Sequence, residues 1–175
     1  MEILKCSEND ETYEKVCDFI KSQFETTYGA KITNFSKNYI YIKEKENIVS
    51  TIGFRIGEED SIFSQIYFDN PIEENISSLI SKKIHNEEIV EFVNLVSIQN
   101  FYSLHIMKYA LDYFKDKYII FTATEKLINI STRYGLKLIQ IKHAVKISED
   151  WGTYYSTNPK ICLIVPRPQI TFKLF

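Results

Sequence analysis

The chain has 175 residues, of which 45% are hydrophobic and 25% charged. This composition excludes a disordered chain and predicts one globular domain over residues 1–175. The formal net charge of −2 argues against a nucleic-acid-binding protein, because such proteins are usually basic. No apolar run reaches the about 18 residues that a transmembrane helix needs. We therefore expect no transmembrane segment.

The cysteines Cys6, Cys17 and Cys162 lie far apart and follow no disulfide or zinc pattern. The three histidines share no metal-ligand spacing, so we predict no metal site. The first residues lack the basic and apolar regions of a signal peptide. Together these features favour a cytoplasmic location.

Apolar spacing predicts the first elements of the chain. Residues 13–28 have helical spacing, with residues 7–10 as a capping segment before them and Gly29 as the stop. Residues 39–54 contain two β-branched and aromatic runs joined by a charged turn, which predicts a β-hairpin. Residues 62–68 are predicted to form a third strand.

Strand and helix patterns alternate over the rest of the chain, which predicts parallel pairing there. Caps are expected from Asn70 with Pro71, from Asn100 and from Thr124. The predicted elements are a helix from about residue 71 to 83, strands over residues 88–96, 118–121, 136–141 and 161–165, and helices over residues 100–114 and 124–135.

Several short segments, in this order and at this spacing, resemble the thermostable hemolysin family. Together they extend from about residue 24 to residue 164, so the resemblance covers most of the chain. The segments are Phe24-x-x-x-Tyr28-Gly29-Ala30, Gly53-Phe54-Arg55, Tyr67-Phe68-Asp69-x-Pro71-Ile72-Glu73, Ile89-Val90-Glu91-x-x-Asn94-Leu95, Phe121-Thr122-Ala123-Thr124, Arg133-x-Gly135-Leu136 and Trp151-Gly152-x-Tyr154-Tyr155.

The resemblance implies an α/β, GNAT-like fold, with a mixed sheet of about six to seven strands flanked by about four helices. It also implies some likeness to the synthases of acyl-homoserine lactone signals. Enzymes with this fold pass an acyl group from a thioester donor to an amine. The family name itself does not establish a haemolytic function for this chain.

Glu91 lies in an otherwise apolar predicted strand, where a buried carboxylate is costly unless it is paired or functional. Burial would raise its pKa towards the range that suits a general base. The alternative is a structural acid paired with Arg55 or Arg133. Asn94, the second candidate catalytic residue, would face the opposite side of a regular strand unless a bulge intervenes. It would then bind substrate or bridge splayed strands.

In GNAT-type sites, a glycine-rich turn after the fourth strand cradles the CoA pyrophosphate. Here Gln99 keeps its expected place, whereas bulky residues such as Phe101 occupy the glycine positions. We assign donor binding to Leu95, Val96, Ser97 and Gln99. The alternative is a plain helix start. The missing glycines favour acyl-phosphopantetheine on an acyl carrier protein over acyl-CoA, although both donors stay open.

The tyrosine that serves many GNAT enzymes as general acid is replaced by Ser131. Ser131, a tyrosine of the 154–155 pair, or no residue would take over that role. Polar-tipped aromatic residues often line pockets, and we assign Trp151, Tyr154 and Tyr155, with Arg55, to binding of the acceptor substrate. The alternative is a loop that packs over the sheet edge.

Three functions follow from the sequence. The first is an N-acyltransferase that uses acyl-CoA or an acyl carrier protein as donor and a small amine as acceptor, with Glu91 as base. The second is a catalytically inactive GNAT-like domain that binds a partner or ligand. The third is a hemolysin, for which the sequence offers no amphipathic hairpin repeats. We expect no release of haemoglobin from red cells.

Overall fold

A computed structural model of the chain describes residues 1–166. That part contains a seven-stranded sheet in the order β1-β2-β3-β4-β5-β7-β6. The strands are β1 (Glu2–Ser7), β2 (Asn38–Glu44), β3 (Asn47–Ile56), β4 (Ile89–Ser97), β5 (Tyr118–Ala123), β6 (Ile139–His143) and β7 (Lys160–Ile164). The helices are α1 (Tyr13–Tyr28), α2 (Ile72–Ile80), α3 (Asn100–Tyr113) and α4 (Glu125–Arg133).

The sheet has an antiparallel half and a mixed half. Strands β1 to β4 pair antiparallel in chain order. Strands β4 and β5, which α3 connects, pair parallel as predicted. Strand β7 then inserts between β5 and β6 and pairs antiparallel with both. The parallel pairing predicted for the second half of the chain is therefore wrong for β5 and β6, which do not pair with each other. The α/β class and the mixed sheet of about six to seven strands with about four helices, predicted from the sequence, are confirmed.

Side chains alternate between the two faces of the sheet and build a core on each. On one face, Tyr39 and Tyr41 pack with the apolar side of α1, and Ile89 and Ile120 pack with α2. On the other face, the core contains residues of β2, β4 and β5 together with α3 and α4. Each strand in the centre of the sheet is therefore buried on both sides. Within residues 1–166, no helix is long and apolar enough to cross a membrane.

Residues 62–68 do not form the strand predicted for them. They contain a short 3-10 helix, Phe63–Tyr67. The β-branched and aromatic composition suggested a strand, but the backbone N–H groups of Phe63 and Ser64 bind a side chain instead of a neighbouring strand. Strand β1 was not predicted, because its alternation of polar and apolar residues is short and weak.

The predicted helix caps are partly correct. Gly29 adopts a left-handed conformation (φ 64°) and ends α1, and the side chain of Thr124 accepts a hydrogen bond from the Leu127 N–H at the start of α4. Residues 7–10 do not cap α1, because the Asp10 carboxylate bonds back to Ser7.

At α2 and α3 the cap predictions fail. The positions before these helices are held by Pro71 and Gln99, and neither forms a side-chain cap. Asn70 and Asn100 therefore do not have the capping role that their residue type suggested.

Candidate functional site

Strands β4 and β5 separate in the middle of the sheet. They pair only from Ile89 with Tyr118 to Phe92 with Phe121. Beyond that point β4 continues beside β3, and β5 continues beside β7. The residues of β4 after Phe92 therefore lack a β5 partner, and their backbone groups on that side can bind something other than the sheet.

The gap between the separated strands opens into a cavity of about 270 Å³, here called the cleft. Helices α3 and α4 border it through Leu104, Met107 and Leu127, and β4 borders it through residues 92–97. Three of the four residues assigned to donor binding, Leu95, Val96 and Ser97, therefore line this cavity. Gln99 is not among the residues that line it in the described part of the chain.

A smaller cavity of about 70 Å³, here called the chamber, adjoins the cleft on the side of the sheet that faces α1. Its wall contains Arg55, Glu91 and the aromatic residues of the 151–155 loop. The residues that line both cavities are Phe24, Phe92, Val93, Asn94, Thr122 and Tyr154. The two cavities thus meet where β4 leaves β5.

A β-bulge lies at this meeting point. The pairing of β4 with β3 shifts between Val93 and Val96, and Asn94 has a left-handed backbone with φ 49°. The extra residue turns the Asn94 side chain to the face that carries Glu91, where both line the chamber. Its Oδ1 accepts a hydrogen bond from the Tyr39 hydroxyl on β2 at 3.0 Å, and its carbonyl oxygen accepts one from the Thr51 hydroxyl at 3.2 Å.

Glu91 is only 1% exposed and accepts three hydrogen bonds. The Phe63 N–H donates to Oε2 at 2.6 Å, and the Ser64 N–H and hydroxyl donate to Oε1 at 2.8 and 2.5 Å. The carboxylate therefore holds the start of the 3-10 helix that follows β3. It forms no direct ion pair with Arg55 or Arg133 in residues 1–166, which were the structural partners considered from the sequence.

The pKa of Glu91 is raised above the ordinary value of 4.5, chiefly because burial disfavours the charged form. The hydrogen bonds from Ser64 and Phe63 and the positive charge of Arg55 act in the opposite direction. The net shift brings the carboxyl closer to neutral pH, where a general base is most effective.

Arg55 is the register partner of Glu91 on β3. Its guanidinium donates to three neutral oxygens: the Asn34 side chain at 2.8 Å and the carbonyls of Ser61 and Phe35 at 3.2 and 3.3 Å. The same group lies 5.9 Å from the centre of the Phe63 ring. These contacts fix the arginine in the wall of the chamber.

The 151–155 loop closes the chamber with half-buried aromatic side chains. Trp151 packs against Phe24 and Phe63, with ring centres 6.1 Å apart in both pairs. The Tyr155 hydroxyl forms a 2.7 Å hydrogen bond with the hydroxyl of Tyr67. Burial raises the pKa of Tyr154, so this phenol keeps its proton at ordinary pH. The loop packs against neighbouring aromatic residues, as the structural alternative proposed, and it also lines the chamber.

The start of α3 borders the cleft through Asn100 and Ser103. Gln99 has an extended backbone, and its carbonyl oxygen accepts hydrogen bonds from the N–H groups of Tyr102 and Ser103. Phe101 is 54% exposed, with its ring 4.1 Å from that of His105. A bulky aromatic residue therefore occupies one of the positions where GNAT-type turns have glycine. Ser131, by contrast, is buried and lines the cleft.

Two contributors to the site were not identified from the sequence. Ser64 lies in a segment that looked like a strand, and Tyr39 looked like one more core aromatic residue. Nothing in the sequence connects them to Glu91 and Asn94, from which they lie 27 and 55 residues away. Their hydrogen bonds arise from the three-dimensional fold alone.

A mixed sheet that opens between its fourth and fifth strands, with α3 starting beside the opening, is the arrangement of a GNAT-like domain. The sequence profile of the thermostable hemolysin family matches residues 6–168. The chain therefore belongs to that family, as the resemblance predicted. No match was found among curated proteins.

Solved structures with a similar fold include two acyl-homoserine lactone synthases. The chain is 12% identical to LasI, with 93% of this chain and 89% of that one covered and a TM-score of 0.61. It is 11% identical to BjaI, a CoA-dependent synthase solved with SAM and isopentyl-CoA, with 95% and 84% covered and a TM-score of 0.62.

FeeM, an N-acyl amino acid synthase from uncultured soil microbes, is 14% identical, with 91% and 92% covered and a TM-score of 0.60. At these identities the similarity establishes the fold alone.

Proposed function

We propose that the chain is an N-acyltransferase that moves an acyl group from a pantetheine thioester to an amine. The observation that carries the proposal is the junction of the two cavities at Asn94. One cavity borders the unpaired edge of β4, and the other contains a buried carboxylate. A thioester in the cleft and an amine in the chamber would meet at this junction.

The cleft suits the pantetheine arm because of its unpaired strand edge and its apolar walls. Pantetheine is a slender chain with two amide groups, and the backbone of β4 beyond Phe92 offers unpaired groups to such amides. The walls from α3 and α4 supply apolar contact through Leu104, Met107 and Leu127. Leu95 and Val96 would hold the arm through their backbone, as a strand holds an added peptide.

In the reaction, the nitrogen lone pair of the amine attacks the thioester carbonyl carbon. The carbon–sulfur bond then breaks, and sulfur leaves with the bonding electrons. Glu91 accepts a proton from the attacking nitrogen, directly or through a water molecule. The Tyr154 hydroxyl, which lines both cavities, would donate a proton to the departing sulfur. The products are an amide and a free thiol.

The donor is an acyl carrier protein in preference to CoA. The arm on a carrier protein lacks the adenosine diphosphate whose pyrophosphate needs the glycine cradle. At the start of α3 this chain has the exposed Phe101 and a backbone whose Ile98 N–H already binds the carbonyl oxygen of Val49. An acyl-CoA would bind more weakly, through the same arm.

A second function is favoured by one observation at the same place. Ser131 occupies the position where many GNAT enzymes have an acid tyrosine, and it is buried in the wall of the cleft. A cleft that binds an acyl-pantetheine arm without transferring the acyl group would make the chain a binding protein for an acylated carrier. Formation of the amide product distinguishes the two functions, because a binding protein would not transfer the acyl group.

The test is thiol release from a medium-chain acyl-CoA and the corresponding acyl-pantetheine in the presence of a mixture of primary amines. Mass spectrometry of the products would identify the amide. The proposal predicts thiol release that depends on both the amine and Glu91. Binding of the thioester without amide formation would establish the second function. Absence of both binding and thiol release would contradict both.

A further inference from the structure

The guanidinium of Arg55 is held in place without a direct ion pair in residues 1–166. Its three hydrogen bonds go to two backbone carbonyls and one side-chain amide, which orient the group but carry no negative charge. Of the five N–H donors of an arginine, these bonds use three. Within residues 1–166, the remaining two have no hydrogen-bond partner. A guanidinium that is held in the wall of a cavity, with two N–H donors unused and no direct ion pair, is a preformed site for an anion.

Glu91 is the only acidic side chain that lines the chamber in the described part of the chain. The Glu91 oxygens accept hydrogen bonds from Phe63 and Ser64 and form none with Arg55. A carboxylate offers about four acceptor positions, so about one stays open beside those three bonds. The chamber thus presents one positive and one negative group that do not form an ion pair with each other.

The placement of these two groups on neighbouring strands fits a particular class of molecule. Arg55 and Glu91 are directly opposed on β3 and β4, and opposed residues have Cβ atoms about 5 Å apart. In an α-amino acid, the ammonium and carboxylate groups are attached to the same carbon atom. Such a zwitterion can place its carboxylate on Arg55 while its nitrogen points to Glu91 and the meeting point at Asn94.

The size of the chamber agrees with this class. A cavity needs about 10–15 Å³ of volume for each water-sized group that it holds. The chamber, with about 70 Å³, therefore has room for roughly five to seven such groups. The common part of an α-amino acid, its nitrogen, central carbon and carboxylate, has five heavy atoms. The aromatic wall of Trp151, Tyr154 and Tyr155 then meets the side chain.

We infer that the chamber binds a free α-amino acid through a carboxylate contact with Arg55. In the transfer, the amino acid is the acyl acceptor, an inference that rests on the proposed function. The nitrogen first loses its ammonium proton and then forms the amide bond as the carbon–sulfur bond breaks. One proton ends on the released thiol and one on the solvent, so the products are an N-acyl amino acid, a thiol and a proton.

The experiment compares each common amino acid with its amide, using the wild-type protein. Binding is measured from the melting temperature and by calorimetry without a thioester, and acceptor use is measured with a medium-chain acyl-pantetheine. An amino acid amide keeps the amine and side chain but lacks the carboxylate. We expect at least one free amino acid to bind and react roughly 10- to 100-fold better than its amide, the usual effect of a hydrogen bond to a charged group.

Two arginine variants complete the design. Arg55→Gln should abolish the preference for the free acid over the amide, and Arg55→Lys, which keeps the charge, should retain part of it. The matched control is Arg133→Gln, because Arg133 is exposed on α4 and lines neither cavity. Arg133→Gln should prefer the free amino acid over its amide as strongly as the wild type does. The comparison of acid with amide needs no variant, so a poorly folded Arg55→Gln protein would not prevent the test.

The outcomes separate this inference from the proposed function. If amines and amides react as well as free amino acids, the inference is overturned while the acyltransferase stands. If amino acids bind through Arg55 but no thioester reacts, the chamber is supported and the transferase fails. If no amino acid binds or reacts, the inference is wrong.

Discussion

The hydroxyl of Tyr39 donates a 3.0 Å hydrogen bond to Oδ1 of Asn94, although a third strand, β3, lies between their strands. The bond spans the sheet just where β4 leaves β5. The same hydroxyl accepts a hydrogen bond from the Ser36 N–H at 2.9 Å. Tyr39 is fully buried, so water cannot replace its hydroxyl as the donor to Asn94. We expect this hydrogen bond to stabilise the left-handed conformation of Asn94. A residue 55 positions away in the sequence therefore contacts the place where the cleft opens.

Replacing Tyr39 by phenylalanine tests this support. The Ser36 N–H and the Asn94 side chain would lose a partner in the interior, which costs about 1–3 kcal/mol of unfolding free energy. For a chain of this size, that lowers the melting temperature by roughly 2–12 °C.

Tyr118→Phe is the matched control for that variant, because the Tyr118 hydroxyl accepts one hydrogen bond, from the Lys82 side chain. The loss of unfolding free energy should be smaller for Tyr118→Phe than for Tyr39→Phe. Equal stability of Tyr39→Phe and wild type in urea would show that the bulge does not need this hydroxyl.

Gly152 holds the aromatic loop against the end of α1. Its backbone angles, φ 53° and ψ −125°, are accessible almost only to glycine. A Cβ atom at this position would clash with the carbonyl oxygen of Tyr28. Gly152→Ala should therefore displace the loop, lower the melting temperature and open the chamber.

Gly135→Ala is the control for the loop variant. Gly135 has a similar positive φ of 84°, but a Cβ there would meet nothing within 4 Å. Its substitution should cost only about 1 kcal/mol, the penalty for a left-handed alanine. Tryptophan fluorescence reports the loop directly, because Trp151 is the single tryptophan of the chain. An unchanged spectrum for Gly152→Ala would contradict the assigned packing.

The raised pKa of Glu91 predicts the pH dependence of acyl transfer. A general base must be ionised, so the rate should fall as the pH is lowered through the raised pKa, which lies above 4.5. Glu91→Gln should remove this acid limb and reduce kcat/KM by about 10²- to 10⁴-fold. A profile that keeps its acid limb in the variant would assign the titration to another group.

The stability of Glu91→Gln should change with pH in a defined direction. Because folding raises the pKa of Glu91, the folded state holds the proton more tightly than the unfolded state. The wild type therefore loses unfolding free energy as the pH rises through that pKa, and the variant does not. Urea unfolding at several pH values measures the difference, and parallel curves would argue against a raised pKa.

The sequence predicted the parts of the fold that depend on local pattern. The periodicity of α1 and its stop at Gly29, the hairpin of β2 and β3, and the strand–helix–strand order around α3 depend on residue type and spacing. The segment 62–68 has the residue types of a strand. Its conformation is set by Glu91, which lies 27 or more residues further along the chain.

The site was predicted less completely than the fold. Glu91 could be identified because a lone acid in an apolar strand is unusual. Its partners could not, since they are backbone groups of a turn. The side chain of Asn94 could not be placed, because one extra residue in β4 reverses the face on which it lies. Gln99, by contrast, fits a family pattern, but its position before α3 leaves it outside the cleft.

The central claim is that the cleft binds an acyl-pantetheine arm. Its most direct test is the melting temperature of the wild type and of Leu104→Trp, with CoA, acyl-CoA or an acyl-pantetheine thioester. Leu104 is half-buried and lines the cleft, so a tryptophan there would fill the space for the arm. The control is Leu79→Trp, at an exposed position on α2.

At about 100 times its dissociation constant, a ligand adds about 2.7 kcal/mol to the unfolding free energy, which corresponds to roughly 5–10 °C here. The claim predicts such a shift with acyl-pantetheine for the wild type and Leu79→Trp, and none for Leu104→Trp. No shift of the wild type with any thioester, or an equal shift in Leu104→Trp, would contradict it.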